Sequence, residues 1–388
     1  MSTYATQPMV LTEGQGSYVQ DVDGKKYLDF ASGIAVNSLG HCNPIYIEAL
    51  TAQLQKLSHC SNLYYNQPAI ALAEKLVAGS PFDKAFFCNS GAEAIEAALK
   101  LSRKYAKLHK DELCTTILTM SNSFHGRTYG ALSATAQTKY HQGYHPLVPE
   151  FQTVEFNNID SVLAANLNSV AAIIIEPVQG EGGVHVVDVA FLKHVRKVCD
   201  EHNIVLIYDE IQCGVGRSGE FFAFEQLGVA PDIVAMAKGL GGGFPIGTIL
   251  ATAEVAAAFS PGDHGSTFGG NPLAASAALA CVETIKNENF LQSVQAKSKK
   301  LKSALQDLQS KFPAIKAIRG LGLMLGLELE VPVKPVIQKC AEHGLLLVGA
   351  GDHVIRLLPP LTVSEQEIDE AVAVLAAVLT AILAPVSP

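Results

Sequence analysis

Two stretches of the chain hold residues suited to covalent amine chemistry. Ile-Val-Leu-Ile-Tyr-Asp-Glu-Ile-Gln (204–212) is an apolar run that reaches Asp209, and Ala-Met-Ala-Lys-Gly-Leu-Gly-Gly-Gly-Phe-Pro-Ile-Gly (235–247) sets Lys238 in a glycine-rich turn. A lysine amine can hold an aldehyde as a Schiff base, and a carboxylate against a pyridine nitrogen keeps that ring protonated and able to accept electrons. These are the two groups a pyridoxal phosphate site needs. Taken alone, a buried strand end followed by a surface lysine accounts for both residues equally well.

Other motifs shift that balance. Asn89-Ser90-Gly91-Ala92-Glu93-Ala94 opens a helical stretch, with Ser90 and Glu93 at capping-box spacing. Free backbone N–H groups at such a start suit a phosphate, although a plain N-cap explains the same residues. In Phe124-His125-Gly126-Arg127-Thr128 the phenyl ring can stack on a flat ring and Arg127 can clamp a carboxylate. A turn with an aromatic staple is the alternative, and His125 reads as structural. Glu176-Pro-Val-Gln-Gly-Glu181-Gly-Gly leaves a strand into a loop, where α/β proteins place ligand-binding residues. His264-Gly-Ser266-Thr267-Phe-Gly-Gly-Asn-Pro is a second loop rich in hydroxyls and glycines. The glycine runs at 239–243 and 320–326 lack dinucleotide-site spacing. His141 and His145 have no evident third ligand, so no metal is expected.

These motifs need elements to position them. The segment 17–22, Asp23-Gly24 and 25–30 reads as a hairpin, and 68–79 and 90–109 have helical periodicity. Apolar runs at 115–120, 171–176, 204–209 and 248–252 alternate with helical stretches such as 190–202. That alternation predicts an α/β fold with a mostly parallel central sheet. Helices at 272–286 and 290–311, strands at 322–330, 345–348 and 353–357, and an apolar closing helix at 371–384 predict a smaller α+β unit. The closing helix is too short to span a bilayer, which needs about 20 residues, and the N-terminal residues lack the charge and apolar run of a signal peptide. Eight scattered cysteines without a Cys-x-x-Cys read as reduced thiols of a cytoplasmic protein. A net charge of −9 without a long basic cluster argues against nucleic acid.

Together the motifs resemble the class III aminotransferases of pyridoxal phosphate fold type I, over nearly the whole chain and in the expected order. The segments 35–44, 61–66, 241–247 and 264–274 look most like the acetylornithine branch of that family. The resemblance implies a segment 1–50 joining the small domain, a large cofactor-binding domain over 51–271, and a linking helix with the small domain over 272–388. It implies that Lys238 holds the cofactor and shuttles the proton, that Asp209 holds the pyridinium proton, and that Gln212 bonds the phenolic oxygen. Phe124 is implied to stack on the ring. Ser90, Gly91 and Ala92 are implied to hold the phosphate with Thr267 of a neighbouring subunit, in a homodimer with shared active sites. Arg127 and Ser266 fall among the substrate-binding positions.

Glu181 is implied to pair with Arg356. One pocket must accept an ω-amino compound and then glutamate; Glu181 neutralises Arg356 for the first and releases it for the second. Ile34 stands where ornithine-specific members tend to carry a tyrosine, which fits an uncharged N-acyl group, although simple packing also explains it. Asn43 and Gly239 depart from the usual histidine and alanine without touching these roles. The implied substrates are N-acetylornithine and 2-oxoglutarate/glutamate. Succinylornithine, succinyl-diaminopimelate or 4-aminobutyrate as donor remain alternatives, as does a cofactor-binding protein without catalysis.

Overall fold

In the computed structural model of the chain, which describes residues 1–383, the first segment forms strands β1 (Leu11–Gln15), β2 (Tyr18–Asp21) and β3 (Lys26–Asp29). β2 and β3 are the expected antiparallel pair. Asp21 fixes their turn: its Oδ1 accepts from the amides of Asp23 (3.0 Å) and Lys25 (2.9 Å), the way an aspartate side chain stands in for turn backbone.

The central sheet uses β4 (Lys84–Cys88), β5 (Thr116–Met120), β6 (Phe151–Val154), β7 (Val170–Ile175), β10 (Val205–Asp209), β11 (Ile233–Met236) and β12 (Gly247–Ala251). Between β7 and β10 a two-stranded ribbon, β8 (Val178–Gln179) and β9 (His185–Val186), projects beyond the sheet. The order is β4-β12-β11-β10-β7-β5-β6, and only β12 runs against the rest. Every residue of β7 and β10 is buried, as apolar runs covered on both faces require. The helix Gly91–His109 lies against the sheet through Ala94, Ala97, Ala98, Leu101 and Tyr105. Its spacing of three and four residues keeps these on one stripe. The helix Pro272–Ile285, capped by Asn271 Oδ1 on the Ala274 amide at 2.9 Å, packs on the helices Pro44–Leu54 and Gln67–Val77.

The C-terminal part has β13 (Ile315–Leu321), β14 (Met324–Leu329), β15 (Leu345–Leu346), β16 (Val348–Gly349) and β17 (Val354–Leu357). β13, β14, β17 and β16 form one sheet, while β15 pairs with β3 and so ties the first strands to the last part of the chain. The strand expected at 322–330 is β14, and β13, which precedes it outside that range, folds back onto it at Gly322, whose φ of 56° and whose approach to the Arg217–Ser218 backbone leave no room for a Cβ. The closing helix begins at Glu365, not after Glu370, because its polar first turn carries no apolar periodicity; the expected end at 384 lies outside the described residues. All eight cysteines are unpaired, and no helix among the described residues is long and apolar enough to cross a membrane.

Just beyond β10, Glu210 is fully buried and accepts the amides of Ala223 (2.7 Å) and Phe224 (2.9 Å). Burial pushes its carboxyl up to about 8, against the opposing pull of those two amides. The folded protein therefore binds this proton more tightly than the unfolded chain does. The stability it confers is complete below the ordinary carboxyl range of about 4.5 and is lost as pH rises through about 8. Thermal melts from pH 5 to 9 should show a falling Tm that Glu210→Gln flattens; an unchanged slope in that variant would refute the assignment.

Candidate active site

Because all strands but β12 share a direction, their carboxyl ends and the start of β12 meet at one edge of the sheet. There a cavity of about 460 Å³ opens, within the range of small-molecule sites. Each wall comes from a strand end. β4 leads into Asn89, Ser90, Gly91 and Ala92, and β5 leads into Phe124, His125, Gly126 and Arg127. β7 supplies Glu176, β10 supplies Asp209 and Gln212, and β11 supplies Ala237 and Lys238. Val36 and the turn 243–246 complete the wall. The structure thus brings Ser90, Gly91, Ala92, Phe124, Arg127, Asp209, Gln212 and Lys238 together from separate stretches of sequence.

Lys238 follows Ala237 at the end of β11 with φ 43°, the left-handed region that a non-glycine residue rarely occupies. Gly239 next to it sits so close to Ser38 that a Cβ would lie 2.5 Å from the Ser38 hydroxyl. An alanine here would require the Ser38 hydroxyl to rotate away, since the nearest backbone atom, the Ala35 carbonyl oxygen, lies 3.6 Å off. Burial, and then the positive charge of Arg356, hold the Lys238 ammonium below its ordinary range.

Asp209 is 5% exposed. Its Oδ2 faces His125 Nδ1 at 2.7 Å, and its Oδ1 accepts from the Ile211 amide at 3.1 Å. His125, read from sequence as structural, is fully buried against the carboxylate, and its Nε2 has no partner. The expected capping box is offset by one residue. Ser90 Oγ accepts from the Glu93 amide at 3.2 Å, but the Glu93 carboxylate takes the Asn89 amide at 2.7 Å. The amides of Ser90, Gly91 and Ala92 at the helix start have no carbonyl to reach, and Gly91 leaves no space for a Cβ beside Ile211.

Arg127 lies at the mouth, its guanidinium 4.0 Å from the centre of the Tyr140 ring and 5.6 Å from that of Phe124. Tyr140 carries no spacing cue in the sequence. Glu176 was visible only as part of a loop motif. It is buried, accepting from the Phe124 amide (3.0 Å) and the Gly180 amide (3.3 Å). Burial, reinforced by Asp209, raises its carboxyl well above the ordinary range.

Glu181 and Arg356 sit against the Gln212 wall. Arg356 Nη1 donates to Glu181 Oε1 and to Gln212 Oε1, both at 2.7 Å. The Arg356 side chain is 1% exposed and that of Glu181 24%. Burial works to raise the Glu181 carboxyl, but the adjacent guanidinium prevails and holds it below its usual value. Removing one member of such a buried pair strands the other at a cost of about 3–5 kcal/mol.

Ser266 and Thr267 are not part of the cavity. Ser266 Oγ accepts from Asn89 Nδ2 and from the Gly269 amide, both at 3.0 Å, and Thr267 is exposed. Both line a shallower depression with Asn62, Phe87 and His264. Ile34 lies on the irregular turn that delivers Val36 to the wall, and is 40% exposed.

The residues present fit pyridoxal phosphate. Free amides at a helix start face the cavity, a buried carboxylate is backed by histidine, a phenyl ring lines one wall, and a depressed-pKa lysine closes the edge.

The comparisons agree with this arrangement. The family model for class-III aminotransferase matches residues 2–379. An acetylornithine aminotransferase of Clostridium acetobutylicum is 49% identical over 375 residues, covering 96% of this chain and 97% of the relative. One from Methanocaldococcus jannaschii is 51% identical over 382 residues, covering 98% and 96%. Among solved structures, the ornithine aminotransferase of Toxoplasma gondii ME49 superposes with a TM-score of 0.94 at 32% identity, covering 99% of this chain and 93% of that one. The N-acetylornithine aminotransferase of Stenotrophomonas maltophilia K279a gives 0.86 at 38% identity, covering 99% and 98%. A further structure of the Toxoplasma gondii enzyme is described with pyridoxal phosphate in part at its active site. With the sheet-edge cavity and the Lys238–Asp209 arrangement already in place, these matches establish that the chain belongs to the class III aminotransferases.

Proposed function

We propose that this chain transfers the terminal amine of N2-acetyl-L-ornithine to 2-oxoglutarate, giving N-acetylglutamate 5-semialdehyde and glutamate, in the cytoplasmic biosynthesis of arginine. The observation that carries this reading is Arg356, a buried guanidinium neutralised by Glu181 beside the lysine cavity. A free guanidinium there would draw any α-carboxylate toward the reacting edge. Paired with Glu181, it leaves the site open to a substrate entering by its terminal amine. Opened by glutamate's own carboxylate, it holds the dicarboxylate instead.

Pyridoxal phosphate held in the cavity would supply an aldehyde for the substrate nitrogen and a ring able to accept the electron pair left by a departing proton. Lys238 holds that proton at Nζ and delivers it back on the other side of the nitrogen. Its lowered pKa supports this role, because a neutral amine is the proton acceptor. Asp209 holds the ring proton, and His125 supports Asp209 from behind. Ser90, Gly91 and Ala92 bind the phosphate through their amides. Arg127, propped on Tyr140, binds a distal substrate carboxylate at the mouth. Ile34, without a hydrogen-bonding group, fits an acylated α-nitrogen.

The functional unit is a homodimer in which Thr267 completes the partner's phosphate site. Supporting this, exposed Thr267 is bordered by Phe268 at 61% exposure, beside the segment carrying Leu63 at 85% and Tyr65 at 94%. So much apolar surface at one place fits an interface.

The test is the visible absorbance of cofactor-loaded protein mixed separately with N-acetylornithine, ornithine, 4-aminobutyrate and glutamate. N-Acetylornithine and glutamate should discharge the band at least about tenfold faster than the other two, the discrimination a shaped pocket gives. Fastest loss with 4-aminobutyrate or ornithine would refute the acetylated donor, and no loss with any of the four would refute the activity.

A further inference from the structure

The hairpin tip that carries Glu181, residues 180–184 between β8 and β9, is buried or half-buried and is held at several points. At its start, Gln179 Nε2 donates to the Ser121 carbonyl at 2.8 Å, and Glu176 takes the Gly180 amide at 3.3 Å. In its middle, Gly182 lies so close to Asn122 that a Cβ would fall 2.7 Å from that residue's carbonyl oxygen. At its end, Arg319 donates to the Gly183 carbonyl from Nη2 (3.1 Å) and Nε (3.3 Å), while its Nη1 is ion-paired with Glu328. Val184 follows, fully buried, with φ 56°. A β-branched residue persists in that strained region only when its surroundings hold it there.

The strand register explains what holds it. On the C-terminal sheet Arg319 of β13 pairs with Gly326 of β14, and Gly326 pairs with Arg356 of β17. Residues directly opposite across adjacent strands share a face, so the two arginines flank a glycine in one row. The gap left by Gly326 receives Val184, since a Cβ there would meet the Val184 Cβ at 2.7 Å. The tip therefore sits over the glycine with one arginine on each side: Arg356 takes the Glu181 carboxylate and Arg319 takes the Gly183 carbonyl.

We infer that Arg319 is a specificity-determining positioning residue: it fixes the backbone of the hairpin tip so that Glu181 closes and opens Arg356 by side-chain rotation alone. This rests on the reading of Glu181 and Arg356 as the element that admits two unlike substrates. Loosening the tip lowers the time Glu181 spends on Arg356, which leaves the arginine free for α-carboxylates. Selectivity then moves toward glutamate and away from the terminal-amine donor. A residue needed only for folding would slow both half-reactions alike.

The test measures kcat/KM for each half-reaction separately in wild type, Arg319→Met, Arg319→Lys, Glu328→Gln and Glu181→Gln. The terminal-amine donor used is the one that wild type discharges fastest, so a wrong choice of donor is exposed before any variant is made. Arg319→Met should lower the donor-to-glutamate ratio by about three- to thirtyfold, the range for residues that modulate coupling without touching ligand. The change should lie in KM, with kcat for glutamate kept. Arg319→Lys should restore part of it, and Glu328→Gln, which keeps the shape but loosens the guanidinium, should fall between. Amide hydrogen exchange over 178–186 should quicken in Arg319→Met while 205–209 stays protected, a readout independent of turnover. If Arg319→Met does not fold, the Arg319→Lys and Glu328→Gln ratios decide. Glu181→Gln separates the two layers of the argument. No ratio change in Glu181→Gln refutes the switch reading and this inference with it. A change in Glu181→Gln with unchanged ratios in the Arg319 and Glu328 variants refutes this inference alone.

Discussion

Lys238→Ala should lose transamination by about 10⁴-fold or more, with the fold intact by circular dichroism. A positioned acid–base group contributes roughly 10²–10⁴ to a proton transfer, and the same amine also serves as the covalent anchor for the aldehyde. No other lysine lines the cavity, so nothing nearby can substitute. The sign of its pKa shift adds a second arm. Burial first, and the Arg356 charge second, disfavour the ammonium, so the neutral amine gains population below the ordinary lysine value of 10.5. In wild type the single-turnover rate should therefore rise with pH and level off below 10.5, and added methylamine should recover part of the activity of the alanine variant. A Lys238→Ala protein that turned over within tenfold of wild type would sink the assignment outright.

Asp209→Asn should lower kcat by about 10²–10³-fold and weaken cofactor retention on dialysis. The amide keeps the shape but loses the negative charge, and a hydrogen bond to a charged group is worth about 1.5–3 kcal/mol even in a static comparison. Here the charge also matters to the reaction, because a protonated ring is the better electron acceptor. His125 Nδ1 stands 2.7 Å behind the carboxylate, so the asparagine must reorient its amide against an imidazole that can itself change tautomer. Adding His125→Phe to Asp209→Asn should cost less than the two single losses combined, since residues sharing one hydrogen-bonded network do not act independently. Rates within about threefold of wild type in Asp209→Asn would remove the carboxylate from the mechanism.

The two predictions rest on different amounts of sequence information. Lys238, Asp209 and the Ser90–Ala92 helix start were legible because each belongs to a local pattern. One is a glycine-rich turn after an apolar run, one is a strand end, and one is a capping signal. Four strands of the seven-stranded sheet, β5, β7, β10 and β12, were legible for a similar reason: β7 and β10, for instance, are continuous apolar runs, as double burial demands. Edge strand β6, half-buried and exposed over most of its length, gives no such run, while the apolar runs within β4 and buried β11 span only four residues each, too short to tell from a helical segment. Strand β13, interrupted by Lys316, Arg319 and Gly320, lies outside the expected strand at 322–330, and the turn at Gly322 that folds it onto β14 is set by the distant Arg217–Ser218 backbone.

His125, Glu176 and Tyr140 mark where local reading stopped. Each acts through a partner remote in sequence: His125 on Asp209, Glu176 on both Phe124 and Gly180, Tyr140 beneath Arg127. No periodicity encodes such a pairing, because it depends on which strand ends the parallel sheet sets side by side. The row of Arg319, Gly326 and Arg356 is the extreme case, since three residues that look unrelated along the chain become neighbours only through strand register. The sequence by itself determined the local turns that present Lys238, Asp209 and the Ser90–Ala92 amides, since helix caps, apolar runs and glycine turns are short-range effects. Only the tertiary structure decided which buried charges face one another and what holds the Glu181 hairpin in place, because those are energies between segments that meet only after the sheets have formed.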